Sequence, residues 1–401
     1  MNRKYLTVII CCCLYIGACT GTGNALGAFI IPMAEQTHSL RGTVSLASTI
    51  YGIVAGLCAP LLVWAIRKYP LKYILLSVGT ATALLTCSFG FMDSVYVYLA
   101  ANVFKGFLNA VFSSTIIVII IGNWFSSFKS TITALALGFS GIAGALYSPL
   151  FTHVINTYGL RTGYFVEAFF QFVLVLPAAF TLTVSPEEQG LVPYSNGKSS
   201  TRKNTIESNT VYHPFRVNDP IFYALCAVSV LSAVLFHISN HFNGYAATLG
   251  KAEIGPLMVS SIMIGNILFK FVVGFICDRF GNKYGVPFLC FSAIIGCLLM
   301  LYGTSSNLLL MTGAFIIGVV YANQITTPAL IREVYGNKQY ADVFAAQNVP
   351  YGLMYFGNML FGYIYDFTRS YRLCFVFGIG ILLLTMLLYM YIMVRHRKQQ
   401  A

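Results

Sequence analysis

The chain has 401 residues, 57% of them hydrophobic and only 9% charged. Soluble domains carry about 25% charged residues, so this composition excludes a soluble enzyme or binding module of this length and points to a chain that crosses a membrane many times. The formal net charge of +12 then reads as a topology signal and not as a nucleic-acid footprint.

Apolar stretches of about 20 residues are read as spans. In the first part of the chain they run 5–31, 43–66, 73–92, 95–121, 130–153 and 162–184. They are continuous rather than alternating, which excludes a β-barrel. Cys11–Cys12–Cys13 lies in the first. All eleven cysteines fall inside expected spans without metal or redox spacing, so they read as small apolar residues. Ile16–Gly17–Ala18–Cys19 behind Arg3–Lys4 looks like a lipoprotein cleavage box, but the apolar run continues to Ile31, longer than a signal peptide requires. An uncleaved first span is expected. The glycines of Gly17–x3–Gly21–x–Gly23 and Gly138–x2–Gly141–x2–Gly144 are expected to allow close helix approach. In the fourth span Lys105 lies about 15 Å from the start near Val95 at 1.5 Å per residue, mid-depth in a hydrocarbon core about 30 Å thick. Tyr147 lies well inside the fifth. Glu167 enters the sixth and is placed near its end.

Ser185–Asn218 is polar, holding Pro186, Pro193, Asn196 and Gly197 with Lys198, Arg202 and Lys203. It reads as a flexible linker. The expected organisation is therefore a six-helix half over 1–184, a cytosolic linker over 185–218 and a second six-helix half over 219–401, with spans at 220–247, 256–277, 285–304, 307–330, 341–365 and 371–394. In the seventh span His237 and His241 stand four apart on one helical face. No third ligand for zinc is evident, so they read as vestibule-lining residues, with His237 also a candidate proton carrier. Lys270 interrupts the uncharged run Ser261–Cys277 about 12 Å before Asp278. A lone ammonium in a span costs several kcal/mol unless it meets a partner or a wet cavity, which makes it a functional candidate by default. Tyr321 and Gln324 in the tenth span and Tyr351 in the eleventh, with Tyr147, are candidates to line a substrate cavity. Asn24, Asn323, Gln347 and Asn348 add neutral polar groups. The bland alternative for each is packing or interhelical hydrogen bonding.

With the N-terminus placed inside, seventeen basic residues fall on the cytosolic side and five, Arg41, Arg161, Lys251, Arg369 and Arg372, outside, leaving Lys105 and Lys270 within spans. That asymmetry puts both termini in the cytosol. A weak internal repeat accompanies it. Arg67–Lys68–Tyr69–Pro70–Leu71–Lys72–Tyr73 follows the second span, and Asp278–Arg279–Phe280–Gly281–Asn282–Lys283–Tyr284 follows the eighth.

Gly274–x3–Asp278–Arg279–x–Gly281–Asn282–Lys283 resembles the loop signature of the major facilitator superfamily. The resemblance implies an all-α membrane protein of twelve transmembrane helices in two six-helix halves. It also implies a conformational latch in which Asp278 sits near a helix N-terminus with Arg279 and Lys283 beside it. A solvated basic loop that only fixes topology is the alternative. The first half departs from the signature, with Arg67 at the Asp position and Pro70 at the Gly position. Gly122–Asn123–Trp124–Phe125, Gly138–x2–Gly141–x2–Gly144–Ala145–Leu146–Tyr147–x–Pro149, Ser185–Pro186–Glu187–Glu188–Gln189–Gly190–Leu191–x–Pro193 and Val334–Tyr335–Gly336–Asn337–Lys338 further resemble the oxalate/formate antiporter and monocarboxylate transporter relatives. Those relatives carry a basic residue where Lys270 stands. Their second lysine, in the eleventh span, has no counterpart in Tyr340–Tyr365.

No acid is evident to neutralise the two mid-depth lysines, and a positive cavity favours an anion, most simply a carboxylate. The expected function is a secondary carrier for a small organic anion in the plasma (inner) membrane, by proton symport or anion exchange. It would act as a monomer, with no cofactor, metal or nucleic-acid partner. Substrate contacts are expected from Lys270, Lys105, Tyr147, Tyr321, Tyr351, Gln324 and His237, and latch contacts from Gly274, Asp278, Arg279, Gly281 and Lys283. A drug or cation exporter of the same fold would want a central acid in the first or fourth span. A membrane receptor would want an additional signalling domain. No nucleotide loop or nucleophile constellation supports an enzyme.

Overall fold

The computed structural model describes residues 3–58, 60–126, 129–195, 214–216 and 218–400. Every regular element among them is helical. Among the described residues ten helical runs are long and apolar enough to cross a membrane, from Arg3–Gly21 to Arg372–Arg397. The two further expected spans, 43–66 and 341–365, are helical but interrupted. The second is divided into Arg41–Leu57 and Pro60–Lys68. The eleventh leaves a kink at Gly336, tightens over Gly352–Tyr355 and resumes at Phe356–Thr368. The chain thus has the all-helical, twelve-pass architecture expected from its hydropathy, and it divides into two compact units, Met1–Thr201 and Arg202–Ala401.

Within the first unit, the third and sixth spans (Leu71–Phe89 and Leu160–Thr181) pack along their length, as do the second and fourth (Arg41–Leu57 and Val95–Val111). Gly106 makes the latter crossing possible. A Cβ there would stand 2.7 Å from the Tyr51 carbonyl oxygen, so only glycine lets the backbones meet. The second unit repeats the device between its own corresponding spans: a Cβ at Gly318 of the tenth would stand 2.6 Å from the carbonyl of Ile262 in the eighth. Gly21 likewise seats the first span against Ala143 of the fifth.

The first stretch of the expected linker is not free. Ser185 and Glu188 cap a short 3₁₀ turn, Pro186–Gln189. Trp124 Nε1 donates to the Thr183 carbonyl at 2.9 Å and Asn123 Nδ2 to the Val184 carbonyl at 3.0 Å. Tyr194 exchanges backbone hydrogen bonds with Trp124 and Ser126, and the Tyr5 hydroxyl donates to the Val192 carbonyl at 2.7 Å. Flexibility inferred from polar composition is corrected here. The indole and amide at the end of the fourth span bind the backbone that polar composition alone leaves loose. The remainder of the expected linker, 196–213 and Val217, lies outside the described residues.

Two connections require glycine for a different reason. Gly281, between helices Gly255–Phe280 and Asn282–Tyr302, has φ +90° and ψ 160°, and Gly336 has φ +73° and ψ 173°. Side chains avoid that region of backbone space. At the position matching Gly281 in the first unit, Pro70 takes φ −60° instead and starts the helix Leu71–Phe89. The departure of the first half from the loop signature is therefore a change of turn chemistry.

Candidate functional site

In the first unit the mid-depth lysine is not alone. Lys105 Nζ lies 3.7 Å from Glu167 Oε1, with the two side chains 15% and 5% exposed, and 5.0 Å from the centre of the Phe89 ring. The expectation that no acid serves Lys105 is overturned. Glu167 is seven residues into the helix that begins at Leu160, about 10 Å deep at 1.5 Å per residue, and not at its rim. The fourth and sixth spans run in the same direction, so charges ten and seven residues from their starts lie at similar depth. That match is the signal in the sequence that could have paired them.

Gln171, one turn further along the sixth span, completes the arrangement. Its Nε2 donates to Glu167 Oε1 at 3.0 Å and to Thr22 Oγ1 at 3.3 Å, while Thr86 Oγ1 donates to Gln171 Oε1 at 2.9 Å. Four spans thus converge on one charged network: the first through Thr22, the third through Thr86, the fourth and the sixth. Thr22 stands just after a π-helical stretch, Gly17–Gly21, a local widening often found at functional sites. Tyr147 does not join this network. Its ring stacks 5.2 Å from Phe151 and lies 5.1 Å from Phe170.

The second unit has the opposite character. Lys270 is half-buried and has no hydrogen bond or ion pair among the described residues. It lies on the stripe that carries the buried Met263, Asn266 and Val273, while Leu268, Phe271, Val272 and Phe275 occupy the exposed side of the same helix. Asn266, one turn before it, has a buried Oδ1 without a hydrogen bond.

Near mid-span the seventh, tenth and eleventh spans all tighten into 3₁₀ geometry, at Leu235–His241, Gly318–Ala322 and Gly352–Tyr355. A neutral polar network ties these spans together. Asn323 Nδ2 donates to the Ser229 carbonyl at 2.9 Å, and Gln347 Nε2 to Ser229 Oγ at 2.7 Å. The Tyr321 hydroxyl donates to the Phe236 carbonyl at 3.1 Å, and Asn240 Nδ2 to Asn358 Oδ1 at 3.2 Å. The shared face expected for His237 and His241 is corrected, because three residues per turn replace 3.6 over that stretch. His241 Nε2 lies 3.0 Å from the Asn358 carbonyl. The His237 ring sits 5.3 Å from that of Tyr355, and its buried Nε2 has no hydrogen bond. Tyr321 and His237 are brought to one region. Gln324 is exposed and stays outside the network.

Of the latch residues, Gly281 is explained by its backbone angle. Gly274 only touches Ile325, at 4.0 Å from an added Cβ, and Lys283 Nζ lies 4.9 Å from the Tyr284 ring. The Asp278 side chain lies outside the described residues. Among the described residues no group of His, Cys, Asp and Glu is arranged to hold a metal ion. Sequence reasoning missed Glu167 as a partner, Gln171 and Ser229. The last two carry no charge and sit in apolar runs, where nothing but packing distinguishes them.

The fold has solved counterparts. A variant of the nucleoside transporter NupG superposes with a TM-score of 0.74 at 14% identity, covering 98% of this chain and 100% of that one. A bacterial homologue of the human lysosomal transporter Spinster, in an inward-facing and occupied conformation, superposes with a TM-score of 0.61 at 12% identity, covering 98% and 97%. At such identities the likeness is one of fold. A search of curated proteins finds no match. A family profile described as Major Facilitator Superfamily matches residues 11–348 and, again, 221–401. Together with the repeated glycine crossing inside each six-helix unit, that match settles the family: the chain belongs to the major facilitator superfamily and is a membrane transporter, not an enzyme.

Proposed function

We propose that the protein is a secondary active carrier for a small organic anion, most simply a monocarboxylate. It works by alternating access in the plasma (inner) membrane with both termini cytosolic. The observation that carries this reading is Lys270. An ammonium on the inner stripe of a span, with no partner among the described residues, bears a desolvation cost that an incoming carboxylate repays in part. Lys105 differs, because Glu167 already neutralises it. One carboxylate on Lys270 is therefore the simpler reading. His237, Tyr321 and Tyr351 supply neutral hydrogen-bonding groups for the remainder of the substrate, and Asp278 serves the conformational cycle.

The test is uptake of a panel of labelled carboxylates into proteoliposomes, together with equilibrium binding to purified wild type and Lys270→Gln at matched folding. Binding is expected to be lost in the variant. Equal affinities would remove Lys270 from the site. Asp278→Asn is expected to slow turnover more than it weakens binding.

A second reading has its own observation. The network of Ser229, Asn240, Asn323, Gln347 and Asn358 is neutral and rich in amides, which suits an uncharged polar solute, and NupG, similar in fold, is a nucleoside transporter by name. Uptake of a labelled nucleoside that Lys270→Gln leaves intact would favour it.

A further inference from the structure

We propose that Glu167 is a proton-binding site, and that its protonation releases Lys105 to hold an anion. This deepens the carrier reading above and rests on it for the identity of the anion, though not for the proton. Three observations carry it. First, the pair is buried inside the bundle, and a buried ion pair is weak evidence for stability, since apolar replacements of similar volume are often as stable. A carboxylate at membrane depth is a functional candidate by default. Second, Glu167 is held from one side only. Lys105 at 3.7 Å and Gln171 at 3.0 Å both address Oε1, and Oε2 has no hydrogen bond among the described residues. A proton can therefore add at Oε2 without displacing Gln171. Third, Gln171 is itself fixed by Thr86 and Thr22, so the acid's position is tied to the first span just beyond its π-helical stretch, Gly17–Gly21.

The step is simple to balance. The carboxylate takes one proton at Oε2 from a hydronium ion of the surrounding solution, which becomes water, no heavy-atom bond forms or breaks, and the charge of the pair goes from zero to plus one. An anion entering beside Lys105 restores neutrality, so proton and anion uptake at this pair favour each other. Proton and anion affinities are then linked reciprocally, with a coupling typically of about 5–150-fold. The titratable groups near Glu167 are Lys105 and Tyr98 on the fourth span, Cys87 on the third and Tyr164 on its own helix. The first span presents Thr22, and the fifth presents Tyr147 against Phe170. Lys105 is the only cation in this set.

The decisive measurement is infrared difference spectroscopy of the purified full-length protein as pH is lowered through the range about 9 to 4. The expected result is a buried carboxyl C=O band that appears on acidification, is missing in Glu167→Gln and shifts in frequency in Glu167→Asp. A band unchanged in both variants, or no band in wild type, would overturn the proposal. If Glu167→Gln does not assemble, the frequency shift in Glu167→Asp decides. In proteoliposomes labelled lactate serves as the probe. Glu167→Gln is expected to lose accumulation driven by a proton gradient by a far larger factor than counterflow at equal pH. Accumulation equal to wild type would also overturn the proposal. Absence of lactate transport in wild type would count against lactate as the anion, while the infrared band would still decide for or against Glu167.

Discussion

The two halves solve one problem in opposite ways. Each crosses its corresponding spans through a glycine, Gly106 on Tyr51 and Gly318 on Ile262, and each holds a lysine near mid-depth. In the first half the charge is answered by protein: Glu167 pairs with it, and Gln171, fixed by Thr86 and Thr22, holds Glu167, so that three further spans join the one that carries Lys105. In the second, the polar groups that meet are neutral and answer one another, and Lys270 is left outside their exchange. The lysines also occupy non-equivalent spans, the fourth and the eighth. The repeat therefore fixes how helices cross and leaves each half free to place charge. On the two proposals above this separates the conditions for binding: Lys105 of the first half is free for an anion only once Glu167 holds a proton, and Lys270 of the second is open to a carboxylate without one.

The largest expected effects break that contrast directly. Lys270→Gln is expected to abolish carboxylate uptake and yet to leave the protein at least as stable to heat, because it removes a half-buried charge that has no ion-pair partner among the described residues. Lys105→Met is expected to have the opposite effect on stability. It leaves Glu167 buried without its partner, and breaking a buried pair costs about 3–5 kcal/mol. Replacing both members, Lys105→Met with Glu167→Leu, is expected to recover much of that loss. Thermal unfolding of the four proteins in detergent checks the signs. If Lys270→Gln is destabilised as strongly as Lys105→Met, the two lysines are not in different situations.

How much of this could be read without coordinates follows the same division. The spans were legible because about 20 apolar residues in a row have few other uses. Lys270 was legible because a charge stands out against such a run. The partner of Lys105 was not: Glu167 lies 62 positions away in the chain, and its pairing depends on which helices pack. Only the matched depth in two parallel spans hinted at it. His237 and His241 were misread because the period of 3.6 was assumed over a stretch that is 3₁₀. Ser229 was invisible, since a serine in an apolar helix looks like any small residue until Asn323 and Gln347 are seen to reach it.

A smaller effect sharpens the comparison at the loops. Gly281→Ala forces a side chain into φ +90° and is expected to cost about 1–3 kcal/mol. Pro70→Ala, at the matching turn of the first half, keeps an ordinary φ of −60° and is expected to cost less than about 1 kcal/mol. Unfolding midpoints of the two variants measure the difference. Equal shifts would mean that Gly281 is not held at its backbone angle by the helices on either side.

The smallest expected effect concerns the neutral network itself. Ser229→Ala removes the hydroxyl that receives Gln347 and leaves the carbonyl that receives Asn323. Interhelical hydrogen bonds within membranes average about 0.6 kcal/mol and reach about 1.7 kcal/mol, far below the cost of breaking a charge pair. A slight loss of stability is therefore expected, with carboxylate affinity unchanged, because on this reading Ser229 holds helices and not substrate. The double-mutant cycle with Gln347→Ala isolates that bond. A coupling well above 1.7 kcal/mol, or a loss of carboxylate binding in Ser229→Ala alone, would place the network inside the substrate site and bring the second half closer in kind to the first.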